Sequence, residues 1–198
     1  MLDQGKYKGQ RGVGLAELLV VLFIIAIIVV LALPQVISSR RLFRFSGMQR
    51  QMVATLRDTR QEAMTQRTPV TFRYEDINKR IVIYGGSFGV LNDNKNYIIP
   101  VATDGLLPTE VVYGRPAGAP VAALGDGSNL TTMTGNAVEV QFQPDGSVVD
   151  ASNNPQNKAL FFYNSKHPTD TAFAVSVLGA GGRSKLWRYS KGVNSYVE

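Results

Sequence analysis

The chain has 198 residues, 44% of them hydrophobic and 18% charged, with a formal net charge of +6. That length suits one modest domain with one anchor and leaves no room for several large domains. It has no cysteine and a single histidine, which excludes disulfide frameworks and Cys/His zinc sites.

Residues 1–12 form a polar leader in which Lys6, Lys8 and Arg11 outweigh Asp3. Residues 13–33 follow as an apolar segment that carries one charge, Glu17, near its start. Leu18 to Leu33 contains no polar side chain. As a helix, the segment spans about 31 Å, the thickness of bilayer hydrocarbon. Basic residues ahead of it favour a cytoplasmic N-terminus and an exported remainder. A carboxylate placed in hydrocarbon costs about 2.5–3.5 kcal/mol at mid-bilayer and less near the interface, so Glu17 calls for a partner. A cleaved secretory signal has a shorter apolar core with its small residue after that core. Here the small residue, Gly12, stands before the run.

Pro34 lacks an N–H and is expected to kink the helix rather than end it, because helical periodicity resumes beyond it. Phe45, Met48, Met52, Leu56 and Ala63 recur at helical spacing, while Arg44, Arg50, Arg57 and Arg60 fill the other faces. This predicts an amphipathic helix over 34–67, its apolar stripe turned toward a soluble domain. Thr68-Pro69 stops it.

From residue 68 the period changes to two. Val70–Tyr74 and Arg80–Tyr84 flank a turn and read as a hairpin. A glycine-rich loop at 85–89 and a polar turn at 92–96 follow. Short strands are predicted at 97–101 and 110–113, then a long loop at 114–136 rich in Gly, Ala, Pro, Ser and Thr. Strands at 137–143 and 147–149 flank the turn Pro144-Asp145-Gly146. The last strands are expected at 158–163, 171–178 and 183–189. Residues 68–198 thus read as one β-rich head, and the fold class is α+β: a long N-terminal transmembrane and amphipathic helix packed on a mainly antiparallel β-sheet head.

Catalytic chemistry is missing. His167 stands beside Pro168 without a cysteine, a second histidine or a nucleophile partner, and reads as a surface residue. Gly179 to Gly182 lacks the Lys-Ser/Thr of a phosphate loop. The polar stretches at 92–96 and 125–129 do not fit the twelve-residue calcium-loop pattern and read as solvated turns. No enzyme activity, metal or cofactor is expected.

Gly12-Val13, Glu17 and Leu18-Leu19-Val20-Val21, followed by Pro34, closely resemble the class III signal of type IV pilins and type II secretion pseudopilins. Val13 and Gly14 depart from the usual phenylalanine and Thr/Ser of that signal. Further on, Leu56–Ala63 leading into Pro69–Phe72 resembles the GspH/FimT group of minor pseudopilins and pilins. So do Phe142–Ser147 and Val175–Val177 before Gly182-Arg183. The resemblance implies that prepilin peptidase cuts after Gly12, that Val13 becomes the N-terminus and a candidate for N-methylation, and that Glu17 pairs with the terminal amine of a neighbouring subunit. It implies a structural subunit of a type II secretion pseudopilus or type IV pilus. Such a subunit is anchored in the bacterial inner membrane with its head in the periplasm, and its partners are other minor and major pilins.

One surface supports an alternative. In an extended strand Arg183, Lys185, Trp187 and Tyr189 share a face, with Arg188 beside them. Cations beside aromatics suit contact with a nucleic-acid backbone and stacking on bases. Some FimT-like minor pilins are linked to DNA uptake, so DNA is a possible partner. The competing account is an edge strand blunted by charge, with Trp187 covering the core.

Overall fold

The computed structural model describes residues 14–86, 97–102 and 106–198, with the backbone alone for 34–42. The leader, the Gly12-Val13 junction, most of the glycine-rich loop at 85–89 and the polar turn at 92–96 lie outside the described residues. The chain divides into two compact units, Met1–Arg40 and Arg41–Glu198.

A single helix, α1 (Leu15–Gln66), begins in the first unit and continues into the second. It runs through position 34 without ending, as the resumed periodicity predicts. In the first unit, Leu15–Leu33 is the one stretch among the described residues long and apolar enough to cross a membrane, and none of it is buried within the chain.

In the second unit the expected stripe is the buried one. Phe45, Met48, Met52, Leu56 and Ala63 are all at most 3% exposed. Thr59 closes the gap between Leu56 and Ala63: it is fully buried, and its hydroxyl donates to the Thr55 carbonyl at 2.7 Å. A threonine is tolerated on an apolar stripe when its hydroxyl is satisfied one turn back along the helix. Arg67, at a φ of 53°, takes the left-handed conformation that closes many helices, and Pro69 prevents continuation.

Among the described residues the strands form two five-stranded sheets. The first contains β1 (Val70–Glu75), β2 (Arg80–Gly85), β3 (Tyr97–Pro100), β5 (Ala137–Phe142) and β6 (Val148–Val149), in the order β3-β2-β1-β5-β6. The second contains β4 (Val111–Tyr113), β7 (Lys158–Asn164), β8 (Phe173–Val177), β9 (Ser184–Ser190) and β10 (Ser195–Val197), in the order β10-β9-β8-β7-β4. All of the strand pairings are antiparallel. A short helix, α2 (Pro168–Thr171), occupies the beginning of the strand expected at 171–178. The proline at its first position suits a helix start, and the strand begins only after Ala172. A 3-10 turn over Pro108–Glu110 likewise precedes β4.

Register explains how one core serves both sheets. Phe72 faces Ile83 on one side and Val140 on the other, while Leu160 faces Val175, which faces Leu186. These side chains meet Phe45, Met52 and Leu56 of α1 in one hydrophobic cluster. Aromatic contacts tie the layers together: Phe45 meets Phe173 edge-on at 5.5 Å and Tyr74 meets Phe162 at 4.9 Å. Each such pair adds about 0.5–1.5 kcal/mol to the burial of its rings.

The end of the helix is fixed by two turns. Arg60 Nε donates to the Gly146 carbonyl at 3.2 Å, in the turn between β5 and β6. Gly182, in the turn between β8 and β9, closes the other side. A Cβ on Gly182 would fall 1.9 Å from the Gly146 oxygen and 2.8 Å from Arg60 Nε. Its φ of 59° also favours glycine. Arg60 therefore touches one turn from each sheet.

Leu56 is 1% exposed and sits where the helix meets both sheets. Leu56→Ala is predicted to destabilise the second unit by about 2–5 kcal/mol through lost burial and a residual cavity. Denaturant unfolding followed by the fluorescence of the single tryptophan, Trp187, measures it. A change below the precision of that measurement would contradict the shared-core account.

Candidate functional site

Two places carry the residues that the sequence singles out. The first is the start of α1. The Gly14 carbonyl accepts the amides of Glu17 at 3.0 Å and Leu18 at 3.2 Å, so Glu17 lies in the first helical turn. A negative side chain there is favoured by the helix macrodipole, by about 0.3–1 kcal/mol at an exposed site in water. The Glu17 carboxylate has no ion pair or hydrogen bond among the described residues. Leu15 and Leu18 to Val21 around it are exposed. Beyond the helix dipole, no cation among the described residues therefore compensates its charge. Gly12 and Val13 lie outside the described residues, as does the side chain of Pro34.

The second place is β9 and the turn before it. The five residues expected to share a surface are divided by the fold. Arg183 precedes the strand and is exposed. Lys185 Nζ pairs with Glu198 Oε2 at 3.0 Å and lies 5.5 Å from the centre of the Trp187 ring. Trp187 itself is only 6% exposed. Its ring packs with Leu124, Phe161, Ala174 and Tyr196 in a second cluster on the outer side of the sheet. Tyr189 is half-buried against the same cluster, and its hydroxyl donates to Asn194 Oδ1 at 2.8 Å. Arg188 is exposed and alternates onto the opposite face, that of Leu186.

A chain of hydrogen bonds holds the cover over Trp187. Its Nε1 donates to Ser176 Oγ at 2.8 Å, and the Ser176 hydroxyl donates to Asp126 Oδ2. Asp126 Oδ1 accepts the Ser128 amide at 2.9 Å, which shapes the loop. The loop passes so close that a Cβ on Gly125 would lie 3.0 Å from the ring. The segment at 114–136 is thus a lid on the second sheet, and Trp187 offers no face for a base to stack on. Burial also pushes the Tyr196 hydroxyl up to about 12, with a smaller opposing effect from Arg115. The strand is no bare edge either, since β10 pairs with its second half through Tyr196↔Tyr189. Ser195-Tyr196-Val197 after the turn at 191–194 is a short alternating signal that the sequence reading passed over.

The acids of the turns are engaged locally. Asp145 Oδ1 accepts the amide and hydroxyl of Ser147, which hold its carboxyl below the ordinary carboxylate range. Asp150 accepts the amides of Ser152 and Asn154. On the outer face of the first sheet, Arg73 and Tyr84 both reach Glu139, and Arg80 reaches Glu75. Burial raises the Glu75 pKa, but hydrogen bonds from Arg80 and Asn78 and the charges of Arg80 and Arg73 outweigh it and leave it lowered. Among the described residues no group of three or more His, Asp or Glu side chains is arranged to hold a metal ion.

Comparison with known proteins bears on the first of these sites. The family model of the prokaryotic N-terminal methylation motif matches residues 7–33. No curated protein matches the chain. Among solved structures, the Pseudomonas aeruginosa type IV minor pilin FimU aligns in two crystal forms. One is 15% identical over 72% of this chain and 87% of that one, with a TM-score of 0.45. The other is 14% identical over 71% and 90%, with a TM-score of 0.44. A prokaryotic N-terminal methylation motif over residues 7–33 thus precedes an α+β head, with the motif's apolar part forming the start of α1.

Proposed function

We propose that this protein is a minor structural subunit of a secretion pseudopilus or a type IV pilus. The observation that carries the reading is the N-terminal methylation motif set on an exposed apolar helix, with the carboxylate of Glu17 unpaired within the described chain. In this account residues 13–33 hold the subunit in the inner membrane until assembly. Prepilin peptidase cuts after Gly12 and frees an α-amino group at Val13, the site of N-methylation. Glu17 then pairs with the terminal amine of an adjacent subunit. In surroundings of low dielectric that attraction far exceeds its value in water and offsets part of the cost of burying the carboxylate. Pro34, which removes one backbone hydrogen bond, is the point where the helix bends.

Lys6, Lys8 and Arg11 precede the anchor, but Arg40, Arg41 and Arg44 follow it. The balance of basic residues therefore does not orient the segment by itself. What supports an exported head is the cleavage itself, since a leader cut after Gly12 by prepilin peptidase has to be presented on the cytoplasmic side. Protease added to spheroplasts is expected to degrade residues beyond the anchor. Protection of the head would reverse the orientation.

Cleavage is expected between Gly12 and Val13. Intact-mass measurement of the protein from cells with and without prepilin peptidase checks it. The account requires loss of residues 1–12 only in cells that have the enzyme. A chain still beginning at Met1 in those cells removes its basis.

A separate expectation concerns Glu17→Ala. The substitution makes the anchor more apolar, so membrane insertion is expected to remain normal. Removing one partner of a buried ion pair costs about 3–5 kcal/mol, so incorporation into the filament should fall by about a hundredfold or more. Membrane fractionation and co-purification with the other minor subunits measure the two effects separately. Undiminished incorporation would mean that Glu17 has no role in assembly.

A further inference from the structure

The α1 helix carries a second set of cations that the proposed function leaves unused. Arg57, Arg60, Gln61 and Met64 lie three or four residues apart and so share one face of the helix near its end. Together with Gly182 and Arg183 of the β8–β9 turn they line a groove of about 430 Å3. Neither Arg57 nor Arg183 has a hydrogen bond or an ion pair among the described residues. Arg60 spends its Nε on the Gly146 carbonyl, and no carboxylate reaches its guanidinium among the described residues.

The site is partly built in advance. The Gly146 carbonyl and the close approach of Gly182 hold the guanidinium of Arg60 from two sides. A guanidinium fixed in this way has less freedom to lose when an anion arrives. Three like charges around one concavity repel one another, which an incoming anion relieves. Gln61 offers an amide at the rim, and Met64, 36% exposed, adds an apolar side.

We propose that this groove receives carboxylate side chains from an acidic segment of a different subunit in the filament. The inference rests on the proposed function and names a partner contact within it. Three observations select the ligand. Nucleic-acid binding of this kind draws on aromatic side chains beside cations, but no aromatic lines the groove, and Trp187 is buried beneath its own loop. A second copy of the chain is poorly equipped to fill it, because most described acids are already engaged. Glu75, Asp76, Glu110, Glu139 and Glu198 sit in ion pairs, and Asp126, Asp145 and Asp150 in turns. The groove also holds a methionine, which packs against the methylenes of a glutamate better than against a phosphate.

The test uses the full chain in detergent and a fluorescein-labelled oligo-glutamate peptide, with oligo-glutamine and an oligo-thymidine strand as alternatives. Saturable binding of the glutamate peptide that weakens with salt is expected. The double variant R57Q/R183Q should weaken it by about tenfold, as expected for two lost charge-assisted contacts, with an unchanged melting temperature because both residues are exposed. Arg60→Lys, which keeps the charge but loses the fork, should weaken it less. Equal binding of oligo-glutamine, or no effect of the double variant, overturns the proposal. Tighter binding of oligo-thymidine that the double variant abolishes also overturns it and assigns the groove to nucleic acid. In cells, the double variant should be cleaved and inserted normally but under-represented in filaments. A variant that assembles normally refutes the groove's role and leaves the subunit reading intact. An uncleaved wild-type chain refutes the subunit reading and leaves peptide binding to be judged by itself.

Discussion

The apolar surface of Leu15–Leu33 has to be covered from outside the chain. Fifteen of its nineteen residues are large hydrophobics, and each of those is at least 46% exposed. A bilayer covers them at once, since lipid tails match their polarity and the helix satisfies its own backbone. Glu17 does not fit that solvent. Its carboxylate is tolerable at the membrane surface and, deeper, only with a cation beside it. The same segment is thus stable in a membrane and incomplete there. In the proposed assembly a filament of packed helices would resolve that incompleteness, by providing both apolar neighbours and an amine.

The second half of the helix has the opposite condition. Its stripe from Phe45 to Ala63 is satisfied within the chain, because two sheets close over it. Fully burying each large apolar side chain contributes about 1.5–3 kcal/mol, so this wall is a large share of what holds the head together. Arg60 adds a polar fastening where the helix ends, between a turn of each sheet. One helix therefore divides its work by position: residues 15–33 look outward for partners, and residues 45–63 organise the head.

Local chemistry was legible in the sequence, and long-range pairing was not. The stripe, the stop at Thr68-Pro69, the β1–β2 hairpin and the Pro144-Asp145-Gly146 turn depend on residues a few positions apart, and each stands where periodicity and turn chemistry put it. Thr59 was missed because a threonine reads as polar until its hydroxyl is seen to bond back to Thr55. The division into two sheets follows from β1 pairing with β5, more than sixty residues away, which no local period encodes. Trp187 is the clearest case. Alternation placed it correctly beside Lys185 and Tyr189, but its cover comes from Asp126 and Leu124, far back in a loop without a periodic signal. The meeting of Arg57, Arg60 and Arg183 was hidden for the same reason, since it depends on where the β8–β9 turn lands on the helix. The methylation motif over residues 7–33 was legible by resemblance, and local physics added only that a lone acid in an apolar run is costly wherever it folds.

The central claim is that neighbouring subunits cover the 15–33 surface. The chain has no cysteine, so single cysteines introduced along that segment report contacts without background. Oxidative cross-linking in cells that assemble filaments is the direct measurement. The account predicts disulfides to cysteine-bearing neighbouring pilins at positions that recur every three to four residues, the helical period. It predicts their loss in cells without the assembly motor. No cross-link at any position, or the same pattern with and without the motor, would contradict it.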